Sequence, residues 1–213
     1  MPKPAAFPRH AASLILWRAR VGGVVEVLMG VRAAGHRFMP GRLVFPGGRV
    51  DFADRTSPAA SELAAETRRA LERAAPPRLA RALAVAAARE LEEETGLTLA
   101  PAGGDAPALG ALDYVCRAVT PAYSPIRFNA RFLAAPAEAA RGVLGGCGEL
   151  EGLGWFSLEE AQNAPLAPIT GCVLAQFSTL MALPVVERAD RPLVCYRGQD
   201  RPLPERLATV SGR

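Results

Sequence analysis

Residues 76–96 constrain this chain more than any other stretch. Pro76-Pro77 ends whatever precedes it, and the spacing predicts a helix from about Arg78 to Thr95, stopped by Gly96. Within it Ala84, Ala87, Ala88 and Leu91 recur at helical spacing and form one apolar stripe for a core. At about 100° per residue, Glu90, Glu93 and Glu94 share another face, while Glu92 points roughly the other way. Three carboxylates at i, i+3 and i+4 repel one another, and two of them sit where the helix dipole disfavours anions. A solvated acidic face is one reading of such a run. A divalent cation is the other: carboxylate oxygens on adjacent turns bind hard ions such as Mg²⁺ or Mn²⁺, which bridge and activate a diphosphate.

The rest of the chain predicts strands and helices in irregular alternation. Residues 11–19 and 24–31 read as a hairpin around Val21-Gly22-Gly23, and 111–119 and 127–134 as further strands. Ser57 and Pro58 start a helix running to about Ala75, so residues 55–81 stand apart as a helical segment. A Gly-rich turn at 142–148 leads to a strand at 153–156 and a short helix from Ser157. Residues 170–183 read as a helix and 192–196 as a weaker strand. No repeat or low-complexity linker divides the chain, so a single α/β domain spanning 1–213 with a mixed sheet is expected.

The sequence around the helix resembles the Nudix hydrolase family. Arg89-Glu90-Leu91-x-Glu93-Glu94-x-Gly96-Leu97 matches the second half of the Nudix box. Its first half is Gly, five residues, then Glu; here Gly48 is followed after five residues by Asp54. The family then has seven residues before the Arg, whereas 34 separate Asp54 from Arg89, so a 27-residue insertion splits the box.

The resemblance implies the Nudix fold, an α/β/α sandwich, with the 55–81 segment inserted. It also implies a catalytic set of Arg89, Glu90, Glu93 and Glu94, with Glu149 as a base in a late acidic loop. Glu90, Glu93, Glu94 and the Gly48 carbonyl would hold Mg²⁺ or Mn²⁺, and the Gly47-Gly48 turn would approach closely. Homodimers are common in that family, and a homodimer is expected.

The stretch Leu28-Met29-Gly30-Val31-Arg32-Ala33-x₃-Arg37-x₃-Gly41-x₃-Phe45-Pro46-Gly47-Gly48 resembles the upstream signature of coenzyme A diphosphatases, departing at Gly30 where that signature has Thr. The implied substrate is coenzyme A or acyl-CoA, with Arg32, Arg37 and Gly47 binding it. ADP-ribose, dinucleoside polyphosphates or modified nucleotides are the alternative substrates, and a non-catalytic ligand-binding module is the alternative class. On the 127–134 strand, alternation places Arg127, Asn129 and Arg131 on one face, opposite Phe128, Ala130 and Phe132. Arg127 and Arg131 are therefore further candidates for substrate binding, with solvent as the other destination of that face.

Composition narrows the partners. The net charge is +4, but Lys3 is the only lysine among 25 basic residues, and the arginines are scattered. Without a basic stripe, nucleic acid is not an expected partner, while a small polyanion is. Cys116, Cys147, Cys172 and Cys195 form no CxxC pair, and two histidines do not suggest zinc. No apolar run reaches the length of a membrane span, and residues 1–8 lack the apolar core of a secretory leader. A cytoplasmic, reduced protein is expected.

Overall fold

Strand β1 (Arg9–Ala19) organises the molecule, because strands or helices meet it on every side. In the computed structural model, residues 6–35, 39–188, 190–198 and 203–205 are described. β1 turns at Val21-Gly22-Gly23 into β2 (Val25–Arg32), antiparallel, with Trp17 opposite Val27. The short strands β3 (Leu43–Val44) and β4 (Gly47–Arg49) follow; β3 pairs with β2 and β4 with the first half of β1. The Gly47-Gly48 pair is thus extended strand, not a turn, because β1 takes up its backbone.

Two helices come next, α1 (Ala65–Glu72) and α2 (Pro77–Thr95). α2 has Pro in its first turn and ends on Gly96 with φ 72°, a left-handed geometry that favours glycine. α1 is shorter than the sequence predicts. Ser57 does not cap it: its hydroxyl donates to the Ala53 carbonyl. Residues 60–61 instead run beside 107–109, where the Ala60 N–H meets the Pro107 carbonyl and the Leu109 N–H meets that of Ser61. Those bonds satisfy the backbone that a helix would otherwise use.

The chain continues through β5 (Leu97–Thr98), β6 (Asp113–Val119), β7 (Phe128–Pro136) and β8 (Arg141–Gly142). It ends with β9 (Leu150–Ser157), α3 (Leu158–Asn163), α4 (Pro168–Ala182), β10 (Val194–Arg197) and β11 (Leu203–Pro204). The main sheet runs β11-β10-β6-β7-β1-β2-β3, with β4 also on β1 and β9 also on β2. It is mixed: β1 lies parallel to β7, and β6 parallel to β10. α3 starts on a capping box, with Ser157 and Glu160 bonding each other's backbone.

Alternation along β1 and β7 feeds two cores. Leu14, Leu16 and Leu133 pack with Leu71, Leu83 and Leu91 under α1 and α2. Ile15, Met29 and Ala134 pack with Val173, Phe177 and Leu180 under α4. The result is the α/β/α layering that the resemblance implies. The 55–81 segment is no loose appendage, since Leu63, Leu71 and Ala75 belong to the first core.

Candidate active site

The last two turns of α2 carry Arg89, Glu90, Glu93 and Glu94 to the rim of one cleft, which has a volume of about 830 Å³. Arg89 ties them together. Its Nη1 donates to Glu90 Oε1 at 2.9 Å and to Glu93 Oε2 at 2.8 Å. Its Nε and Nη2 donate to the two oxygens of Asp54 at 3.0 and 3.1 Å, and Nη2 also reaches the Arg49 carbonyl at 2.9 Å. Burial opposes the Arg89 charge, but the Asp54 and Glu90 carboxylates more than reverse that and hold the guanidinium firmly protonated. Two glutamates that the sequence leaves unpaired therefore share one arginine.

Asp54, 1 % exposed, also accepts the Asp51 N–H at 2.7 Å. It stands where the box has its first Glu, and the two halves of the box meet through the Asp54–Arg89 pair, 35 positions apart. They meet again at Gly47, whose N–H donates to Glu94 Oε2 at 2.9 Å. That N–H is therefore engaged by a glutamate and not turned to a phosphate. A Cβ at Gly47 would overlap Ser13 Oγ and the Ala12 carbonyl, and one at Gly48 would overlap the Glu90 carboxylate. Only side-chain-free residues let β4 lie between β1 and α2 this closely.

Charge is concentrated here. Burial raises the Glu94 carboxyl well above the usual range, with Glu90 and Glu149 adding to the effect and the Gly47 N–H and Arg32 opposing it. Burial also raises Glu90, against Arg89 and with Glu93 and Glu149. Glu149, exposed in the loop before β9, thus stands close enough to act electrostatically on both, and it lines the same cleft. Glu92 is turned away and accepts from Thr98 Oγ1 at 3.0 Å, as helical spacing requires.

Other expectations meet mixed outcomes. Arg32, at the end of β2, lines the cleft. Arg37 and His36 lie outside the described residues. Arg127 and Arg131 are on the wrong side of the sheet. The cleft is lined by Phe128, Ala130 and Phe132, the opposite set of the alternation. Arg127 donates instead to the Thr120 and Ala6 carbonyls. Arg131, 1 % exposed, donates to the Ala74 and Asn129 carbonyls and meets His10 Nδ1 at 3.2 Å. The physical reason is depth: β7 is interior and its face opposite the cleft is covered, so the Arg131 head is spent on backbone carbonyls. The sequence reading also passed over Ile169 and Tyr196, which line the cleft from α4 and β10. Their only signal is an apolar position in a helix and in a strand, which marks core and cleft alike.

The architecture matches known structures. A Nudix hydrolase from Alicyclobacillus acidocaldarius superposes with a TM-score of 0.60 at 27% identity, covering 80% of this chain and 90% of that one. The fold is the Nudix fold. A MutT Nudix hydrolase from Burkholderia pseudomallei shares it at TM-score 0.51 and 23% identity, over 80% of this chain and 98% of that one. The Nudix domain of Shewanella oneidensis NrtR, solved with ADP ribose, does so at 0.55 and 14%, over 83% and 90%. No family model and no curated protein matches the chain. This likeness and the reassembled box together support a Nudix-type diphosphatase. Among the described residues, no helix is long and apolar enough to cross a membrane.

Nudix hydrolases use divalent metals. The site's donors are oxygens throughout, the set a hard cation takes. Glu94 is buried, and burial together with Glu90 and Glu149 raises its carboxyl, so a bound cation would favour its charged form. As placed, Glu90 and Glu93 point to Arg89, and no three carboxylate, His or Cys side chains among the described residues group as ligands. The residues fit the ion in kind, with Arg89 holding two of them ready.

Proposed function

We propose that this Nudix hydrolase cleaves the diphosphate of coenzyme A or acyl-CoA, releasing 3′,5′-ADP and (acyl-)4′-phosphopantetheine. The observation that carries the reading is the shared cleft: Arg32 of the coenzyme A-type signature faces the same space as the reassembled box. Glu90, Glu93, Glu94 and the Gly48 carbonyl would hold Mg²⁺ or Mn²⁺, which supplies charge neutralisation at phosphate and a more acidic bound water.

The chain's own residues do the rest. Arg89 orients Glu90 and Glu93 through charge-assisted bonds, and the Gly47 N–H fixes Glu94. Glu149, exposed in the loop before β9 and lining the same cleft, takes a proton from the attacking water. Arg32 supplies a guanidinium for phosphate oxygens. Incubating the enzyme with Mg²⁺ or Mn²⁺ and a panel of CoA, acyl-CoA, ADP-ribose and dinucleoside polyphosphates, then weighing the products, tests this. Release of 3′,5′-ADP from CoA supports it. Cleavage of ADP-ribose or dinucleotides with CoA untouched moves the substrate to the nucleotide class.

A further inference from the structure

The apolar half of the cleft has an ordered floor. Tyr196 on β10, Ala118 on β6, Ala130 on β7, Ala11 on β1 and Arg49 on β4 are register partners, each opposite the next. They form one row across five strands, and all five line the cleft. At about 4.8 Å between strands the row spans roughly 19 Å. Its three middle members are alanines. On β7, Phe128 and Phe132 stand two residues to either side of Ala130, on the same face.

Three small side chains between flanking rings make a trough across the strands. It begins beside Gly48 and Arg89 and ends at Tyr196. That ring is 4 % exposed, and its hydroxyl donates to the Cys172 carbonyl of α4 at 3.3 Å, so the far end is closed by a fixed aromatic.

Resting on the diphosphatase reading above, we infer that this alanine trough holds an extended apolar arm attached to the scissile diphosphate, with Tyr196 as its length stop. The lining of the trough sets the occupant's chemistry. The trough opens into the same cleft as the glutamates, so an arm of the substrate reaches it while the diphosphate stays at the glutamates. Its floor offers methyl groups and no charged head beyond Arg49, so a second polyanionic nucleotide finds no partner there. The arm gains by leaving water, and a floor side chain of larger size removes the space it needs.

The test uses adenosine 5′-diphosphate esters bearing methyl, butyl or decyl groups on the β-phosphate, assayed with Mg²⁺. Water adds across the P–O–P bond, giving AMP and an alkyl phosphate, so the arm varies while the chemistry does not. The kcat/KM of the decyl ester should exceed that of the methyl ester by about tenfold or more. Ala130→Leu should remove that gain and leave the methyl ester within about twofold of wild type, and Ala118→Leu should do the same. Tyr196→Ala should shift the preferred length upward. Equal kcat/KM for methyl and decyl esters, or an equal loss for both in Ala130→Leu, overturns the trough while the hydrolase reading stands. Calorimetry with methylene-bridged, uncleavable analogues separates the two ideas: tighter binding of the decyl analogue, together with no turnover of any of the esters, supports the trough and overturns the hydrolase reading.

Discussion

Glu94 and Glu92 are two positions apart and have opposite fates, which makes them a matched pair for testing the acidic face. Glu94 is buried against Gly47, whereas Glu92 is exposed on the far side. Glu94→Gln retains an oxygen for the Gly47 N–H but removes the charge, so kcat should fall by at least about a hundredfold with an unchanged melting curve. Glu92→Gln should leave kcat within about twofold. Equal activity in the two variants would remove the acidic face from the chemistry. Asp54 is the structural counterpart. Asp54→Asn breaks a buried pair and leaves Arg89 short of a carboxylate, at a cost of about 3 kcal/mol in urea unfolding. The glutamates were legible in the sequence because helical spacing is local. Asp54 was legible only through the resemblance, as the box's first acidic position; its grip on Arg89, 35 residues away, was not, since nothing local reveals that the two meet.

The elements show where one-dimensional patterns stop. Alternation divided β7 correctly into an arginine face and a phenylalanine face, but it does not say which face a cleft will use. A neighbouring layer decides, and here the turn after α1 covers Arg131. The same layer converts the insertion from ornament to structure. Thr67 Oγ1 donates to the Leu112 carbonyl at 2.6 Å, and Arg131 Nη2 to the carbonyl of Ala74, just past α1, at 2.7 Å. Thr67→Val keeps the shape and strands a buried carbonyl, so stability should drop by about 1–2 kcal/mol. Leu71→Ala, at a fully buried site, should cost about 2–5 kcal/mol. Chemical denaturation measures both. If Leu71→Ala leaves the midpoint unchanged, the insertion folds apart from the core.

For the molecule as a whole, pH should act through His10. Burial, then Arg131, Arg117 and Arg55, lowers its pKa to about 4, against about 6.5 when unfolded. Between those values the unfolded chain binds a proton that the folded one refuses, so stability falls as pH drops from 6.5 to 4 and levels below. His10→Gln retains an acceptor for Arg131 and cannot titrate. Wild type should therefore lose more melting temperature between pH 7 and 5 than His10→Gln does, and parallel curves would refute the assignment. Raised carboxyls such as Glu94 have the opposite sign and cancel in that difference. Sequence gave no hint of this group, because a histidine near a chain end is ordinarily exposed; only the parallel pairing of β1 with β7 puts Arg131 beside it.

The reassembly of a divided motif around 27 extra residues is also a matter of polymer statistics. Closing a loop becomes harder only with the logarithm of its length, about 0.6 kcal/mol per doubling. Stretching the span between Asp54 and Arg89 from seven residues to 34 is a little over two doublings, about 1.4 kcal/mol of closure entropy. Sequestering one leucine from water contributes about as much or more. Leu63 and Leu71 supply two such side chains within the inserted span. A chain of this design can therefore lengthen its interior without loosening its ends, and variants with longer or shorter segments there should keep Asp54 and Arg89 together as long as those leucines stay in the core.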